Sequence, residues 1–146
     1  MISVRVHGIT ADPTTNQFLM LLIDDEGGRL LPIVIGQWEA QSIAWNMQGI
    51  EMQRPLTHDL FKNFLDDADI KMTKVIIDNL KENTFYAKIN FDIKSDKQII
   101  IDSRPSDAVA IALRMDAPIF VMEDVFEKAS VKIDSDLKDD TNEVVN

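Results

Sequence analysis

The sequence predicts a single α+β domain: two strand-strand-strand-helix units, a helix inserted between them, and a short strand after the second unit. Three observations carry this reading. Apolar runs with strand-like alternation occur in two groups of three, and each group ends in a segment with helical spacing. Turn-forming residues separate the runs closely enough for antiparallel neighbours, so a largely antiparallel or mixed sheet is expected. A shift of 68 residues lays one group on the other without a gap. A chain of 146 residues fits one such domain.

Each element has its own signal. SVRVHGI (Ser3–Ile9) alternates, with His7 as an ordinary strand residue, and ADPTTN then turns the chain. QFLMLLID (Gln17–Asp24) is the second strand, closed by the hairpin signal DEGG (Asp25–Gly28). RLLPIVI (Arg29–Ile35) is the third. Pro32 lacks an N–H, which predicts an edge or a bulge there. GQWEAQSIAWNMQG (Gly36–Gly49) has helical spacing, with Gly49 as its stop.

The inserted helix starts from Thr57 as N-cap and carries an apolar stripe of Leu60, Phe61, Phe64 and Leu65. KMTKVIID (Lys71–Asp78), TFYAKINFDI (Thr84–Ile93) and KQIIID (Lys97–Asp102) repeat the three-strand pattern. A helix follows with Ser103 or Arg104 as N-cap and Pro105 in its first turn, where a missing N–H costs nothing. Its body, Ala108 to Leu113, has no polar side chain and reads as fully buried. PIFVM (Pro118–Met122) is a short final strand, and EDVFEKA (Glu123–Ala129) adds a last helical turn or two.

Under the 68-residue shift Ile9 falls on Ile77, Phe18 on Tyr86, Asp24 on Asp92 and Leu31 on Ile99. The helices agree best: EAQSIAWNM (Glu39–Met47) falls on DAVAIALRM (Asp107–Met115). Glu39 and Asp107 thereby take equivalent places in the first turns of two helices, where the dipole and free N–H groups favour a carboxylate. The two helix starts either face one cleft or serve the same capping role twice.

Composition excludes several chemistries. Without cysteine there is no disulfide, thiolate zinc site or cysteine nucleophile. The first ten residues lack the apolar core of a signal peptide, and no apolar run approaches the ~18 residues that span a bilayer, so a cytoplasmic protein without a membrane partner is expected. The net charge is −10, of which Asp134–Asn146 holds −4 (five acids, one lysine). Residues 131–146 read as an acidic, flexible tail, and 1–130 as the folded domain. The domain itself remains acidic, which opposes nonspecific binding to a phosphate backbone. Phosphate-loop, dinucleotide, HExxH, nucleophile-elbow and EF-hand signatures are all absent.

Three polar constellations remain. Arg104, Ser106 and Asp107 open the buried helix; they serve as first-turn residues, or as an anion ligand (Arg104) beside a metal-binding carboxylate (Asp102 or Asp107). Trp38 and Glu39 open the first helix. Trp38 suits a core or interface position, with base stacking as the functional alternative, and Glu39 is a dipole-compensating acid or a metal ligand. In RPLTHDL (Arg54–Leu60), His58 and Asp59 offer a general base, although adjacent helical residues point about 100° apart and do not chelate together.

LPIVIGQWEAQSIAW (Leu31–Trp45), RPLTHDLFKNFL (Arg54–Leu65), TFYAKI (Thr84–Ile89) and DSRPSDAVAIALRMDAPIFV (Asp102–Val121) together resemble the bifunctional nuclease domain family over roughly residues 1–130. The resemblance implies a mixed α/β domain that forms homodimers and hydrolyses both DNA and RNA. On that reading an acidic surface implies metal-assisted chemistry with Mg or Mn and no organic cofactor. Glu39, Asp102 and Asp107 are then the metal ligands. Glu39, His58, Asp59, Arg104 and Asp107 are the catalytic set, with His58 as a base and Arg104 as a transition-state clamp. The competing expectations are a non-enzymatic dimeric binding or regulatory module, and an enzyme acting on a small anionic metabolite held by Arg104.

Overall fold

The computed structural model describes residues 1–133. In chain order its elements are β1 (Ile2–Ala11), β2 (Phe18–Asp24), β3 (Arg29–Ile35), α1 (Gln37–Met47), α2 (Thr57–Asp67), β4 (Ile70–Lys81), β5 (Thr84–Ile93), β6 (Lys97–Ser103), α3 (Pro105–Met115), β7 (Ile119–Val121), α4 (Glu123–Ala129) and β8 (Val131–Lys132). The eight strands form one sheet in the order β6-β5-β4-β7-β1-β2-β3-β8. Neighbours are antiparallel except β4 and β7, which run parallel. The expected α+β domain with a mixed sheet is what forms.

The two units lie on either side of β7, each a meander running outward from the middle of the sheet. The 68-residue shift carries β3 onto β6 and α1 onto α3 with the same end residues. Each helix therefore leaves its unit's outermost long strand and folds back over the sheet.

α3 is buried because it is covered on several sides. It packs on β4 and β5 below, and α1 and α2 lie against it. Ala108, Val109, Ala110, Ile111 and Ala112 are all buried, and the three alanines let the neighbouring backbones come close. One core joins this helix to Ile43, Leu65, Val75, Ile77, Ile89 and Phe126. β2 is buried on both faces. Met20 and Leu22 enter the main core, while Leu21 and Ile23 pack with Leu30 on the other side.

The local signals mostly act as read. α1 ends in a Schellman turn: Gly49 sits at φ +70°, its N–H bonds to Asn46 O, and Ile50 N–H bonds to Trp45 O. Pro105 is the first residue of α3, with Arg104 as N-cap. Pro32 lies on β3 beyond Arg29 and Leu30, the two residues that pair with β8, so it occupies open edge.

Four expectations change. The N-cap of α2 is Leu56, not Thr57, because Asp59 Oδ2 reaches back to accept the Leu56 N–H at 3.0 Å. Leu60 and Phe64 are mostly exposed, so only Phe61 and Leu65 of the expected stripe face inward. Trp38 is not a core residue; it is 72% exposed. Val131 and Lys132, read as the start of the tail, pair with β3; residues 134–146 lie outside the described residues. No helix among the described residues is long and apolar enough to cross a membrane.

Candidate active site

The starts of α1 and α3 face each other. Glu39 and Asp107 are each the third residue of their helix, in its first turn, counted from N-caps Gly36 and Arg104. Gly36 and Arg104 are themselves equivalent under the 68-residue shift, and this difference builds the site. Arg104 closes on its own helix through Nε to Asp107 Oδ2, 2.8 Å, and its Nη2 reaches Asp107 Oδ2 at 2.8 Å and Glu39 Oε1 at 2.6 Å. Across the pair Gly36 leaves room: a β-carbon there would collide with Glu39 Oε2.

Behind Asp107 the cluster continues inward. Asp107 Oδ1 lies 2.9 Å from His58 Nε2, and His58 Nδ1 lies 2.7 Å from Ser42 Oγ. Arg114 Nη2 donates to Ser42 Oγ at 2.9 Å, and Arg114 Nε donates to Asp59 Oδ1 at 2.6 Å. Arg114 also donates to the carbonyl of Ala110. One polar chain thus runs Glu39–Arg104–Asp107–His58–Ser42–Arg114–Asp59. Side-chain exposure falls along it from 66% at Arg104 through 30% at Asp107 and 12% at His58 to 4% at Arg114.

The two ends fix the protons between them. A guanidinium only donates and an ionised carboxylate only accepts. Arg114 therefore uses Ser42 Oγ as acceptor, which frees the serine proton for His58 Nδ1. In neutral His58 the ring proton sits on Nε2, directed at Asp107. Both imidazole nitrogens are occupied, so His58 orients Asp107 in this arrangement. The Asp107 hydrogen bond, with help from Glu39, raises the Arg104 pKa against the opposing effect of burial. Burial pushes Asp59 up, but the Arg114 hydrogen bond, the Leu56 N–H and the Arg114 charge together hold it below its ordinary value.

Of the residues read from the sequence, Glu39, His58, Arg104 and Asp107 come together around a pocket of about 270 Å³, with Trp38 at its wall. Asp59 faces Arg114 on the far side of α2's first turn and joins the site only through the chain. Asp102 does not join it. Strand alternation turns its side chain to the outer face of the sheet, opposite Lys88, with which it pairs at 3.1 Å. The expected metal set of Glu39, Asp102 and Asp107 therefore does not assemble, and among the described residues no three His, Asp or Glu are grouped to hold an ion. Glu39 and Asp107 do converge on a single cationic nitrogen. A donor set of two carboxylates suits an ion that completes its shell with water and substrate phosphate.

Ser42, Arg114 and Gly36 were not among the residues singled out from sequence. Their signal is departure from the internal repeat: Gly36 falls on Arg104, Ser42 on Ala110 and Asn46 on Arg114. Of the three, only Ser42 sets a polar side chain against an apolar one; Arg114 falls on the equally polar Asn46, and the repeat does not mark it.

Arg104 also lines a second, wider groove of about 780 Å³ on its other side, between the β3 edge, the β4–β5 turn and the end of α4. In a protein of net charge −10, none of the described residues lining this groove is acidic, and Arg104 and Lys128 are the two cations among them.

The fold and site define a mixed-sheet α+β protein that presents a carboxylate-held guanidinium where a small polar pocket meets an open groove. Residues 20–134 match the bifunctional nuclease domain, and the chain belongs to that family. It is 45% identical over 130 residues to an uncharacterized protein of Mycobacterium tuberculosis, covering 89% of this chain and 77% of that protein. It is 27% identical over 105 residues to bifunctional nuclease 2 of Arabidopsis thaliana (70% of this chain, 32% of that protein). With bifunctional nuclease 1 of the same plant it shares 25% over 119 residues, covering 78% and 36%. The chain spans about a third of the plant nucleases it matches.

Proposed function

We propose that this domain hydrolyses phosphodiester bonds in nucleic acid, DNA and RNA alike, at the Glu39–Arg104–Asp107 cluster. The observation that carries the reading is the position of Arg104, held by two carboxylates at the rim shared by the pocket and the wide groove. A guanidinium there can pair with a phosphate through parallel N–H···O bonds and stabilise charge growing on the phosphoryl oxygens. Asp107, oriented by His58, accepts the proton of the attacking water. Glu39 and Asp107 are the residues that would hold Mg or Mn in place of Arg104 Nη2, leaving the guanidinium to the phosphate; the ion would neutralise phosphate charge and acidify a bound water. The plant relatives named bifunctional nucleases support the reaction class.

A small anionic metabolite would fill the pocket alone; the groove on the other side of Arg104 favours a polymer. The homodimer reading draws support from β6, an edge strand that leaves Ile100 and Ile101 exposed.

The test is cleavage of fluorogenic DNA and RNA by wild type, Glu39→Gln and Asp107→Asn proteins purified in parallel, with Mg, Mn or EDTA. Wild-type cleavage should fall at least a hundredfold in both variants. Equal cleavage by all three would assign the activity to a contaminant and remove the proposal. Calorimetric titration of Mg and Mn into the same proteins reads the metal directly; undiminished binding by both variants would displace Glu39 and Asp107 as ligands.

A further inference from the structure

We infer that the substrate is taken as a single strand, along a track running from Lys128 over Arg104 to Trp38. The inference rests on the reading of the Arg104 cluster as the phosphodiester site and adds the form of the substrate and the residues that grip it.

Three observations support the track. The wide groove has no acid among the described residues of its lining and ends, at Arg104, where the small pocket begins. Lys128 and Arg104 place two positive groups along that path, with Val34 and Phe85 as apolar surface between the edge of β3 and the β4–β5 turn. On the far side of Arg104, Trp38 stands 72% exposed in the first turn of α1, on the wall of the small pocket. An indole on the wall of the pocket that Arg104, Glu39 and Asp107 line is left largely in water by the described residues. A base flanking the Arg104-bound phosphate would cover it by stacking.

A duplex does not suit this arrangement. Paired bases are stacked on one another and offer no free face to Trp38, whereas an unpaired base does. The overall acidity also disfavours a duplex, whose high charge density meets repulsion everywhere outside the groove. A single strand threads the local positive track and avoids the rest of the surface. Backbone contact and stacking carry little sequence information, so DNA and RNA strands should both be accepted.

The test is binding without cleavage. Phosphorothioate oligothymidylate and oligouridylate of about 12 nucleotides, within the usual range for one such site, are titrated in EDTA into the Trp45→Phe protein, which keeps Trp38 as its one indole. Both strands should quench Trp38 fluorescence, and a duplex of the same length should bind at least tenfold more weakly. For two phosphates the slope of log K against log salt should be about −1.4, falling to about −0.7 in Lys128→Ala. Measured by anisotropy of a labelled strand, Trp38→Ala should bind about tenfold more weakly.

Equal affinity for duplex, an unquenched indole, or an unchanged salt slope in Lys128→Ala would overturn the track. Cleavage by wild type with these signatures missing would sink the track and leave the hydrolase reading standing. The signatures without any cleavage would do the reverse.

Discussion

Glu39 and Asp107, 68 residues apart and at matching places in two helices, both contact Nη2 of Arg104, at 2.6 and 2.8 Å. The repeated architecture brings two helix starts and their carboxylates together; a single unrepeated arginine, opposite a glycine, converts the repulsion between them into a held cation. The site is therefore a product of symmetry in the backbone and asymmetry in two side chains.

Arg104→Lys tests that geometry. Lysine keeps the charge and loses the planar fork that spans both carboxylates and a phosphate. Phosphodiester cleavage should fall about a hundredfold in kcat/KM. The side chain is 66% exposed, so stability should move by no more than about 0.5 kcal/mol in urea unfolding.

Gly36→Ala probes the same site from its empty side. The backbone at φ −72° accepts alanine, but the new methyl meets Glu39 Oε2. A flexible carboxylate can swing away at little cost in stability, and the Glu39–Arg104 contact is then lost. Activity should drop about a hundredfold with the unfolding midpoint nearly unchanged. Retained activity would show that Glu39 is not needed in this pose.

Arg114 is the structural end of the chain. It is 4% exposed and bonds Asp59, Ser42 and the Ala110 carbonyl. Arg114→Met should cost about 3 kcal/mol, because Asp59 and Ser42 keep their polar atoms without the partner. A double-mutant cycle with Asp59→Asn should be strongly non-additive, with the double variant little worse than Arg114→Met alone.

Acid should act on the same pair. The Asp59 carboxyl is held below its ordinary 3.8, so its contribution is present above the unfolded pKa and lost as pH falls through the lower folded one. Wild type should exceed Asp59→Asn in urea midpoint at pH 7, and the gap should close as pH falls below about 4. A gap that holds constant down to pH 3 would mean that the Asp59 charge contributes nothing.

Much of the fold was legible because its signals are local. The strand run Ser3–Ile9, the DEGG turn, Gly49 and Pro105 each act through the residue's own backbone or its immediate neighbours and form the element read from them, although a bulge at His7 breaks the alternation of β1. The errors fall where burial is decided by distant partners. Leu60 and Phe64 share α2's apolar side with Phe61 and Leu65, yet α3 and β4 cover only part of that side. Trp38 is an apolar residue near a helix start, and the described residues leave it 72% exposed.

The site divides in the same way. Glu39, His58, Arg104 and Asp107 stood out as polar residues beside apolar helices, and they assemble. Asp102 stood out equally and does not, because a two-residue period on β6 turns it to the face opposite α3. Ser42 and Arg114 were passed over, since one hydroxyl in an apolar helix and one arginine in a last turn look like ordinary capping or surface residues.

By itself, the sequence determined the order of the elements from β1 to α4, the internal repeat and the equivalence of Glu39 with Asp107, because all of these follow from spacing along the chain. Only the tertiary structure decided that the two helix starts face each other and that one guanidinium joins them. Only it showed that a groove with no acid among its described lining residues opens beside that guanidinium in a protein of net charge −10. Net charge is a sum over the chain, but a phosphate would meet the local field, and that field depends on which side chains the fold brings to one place.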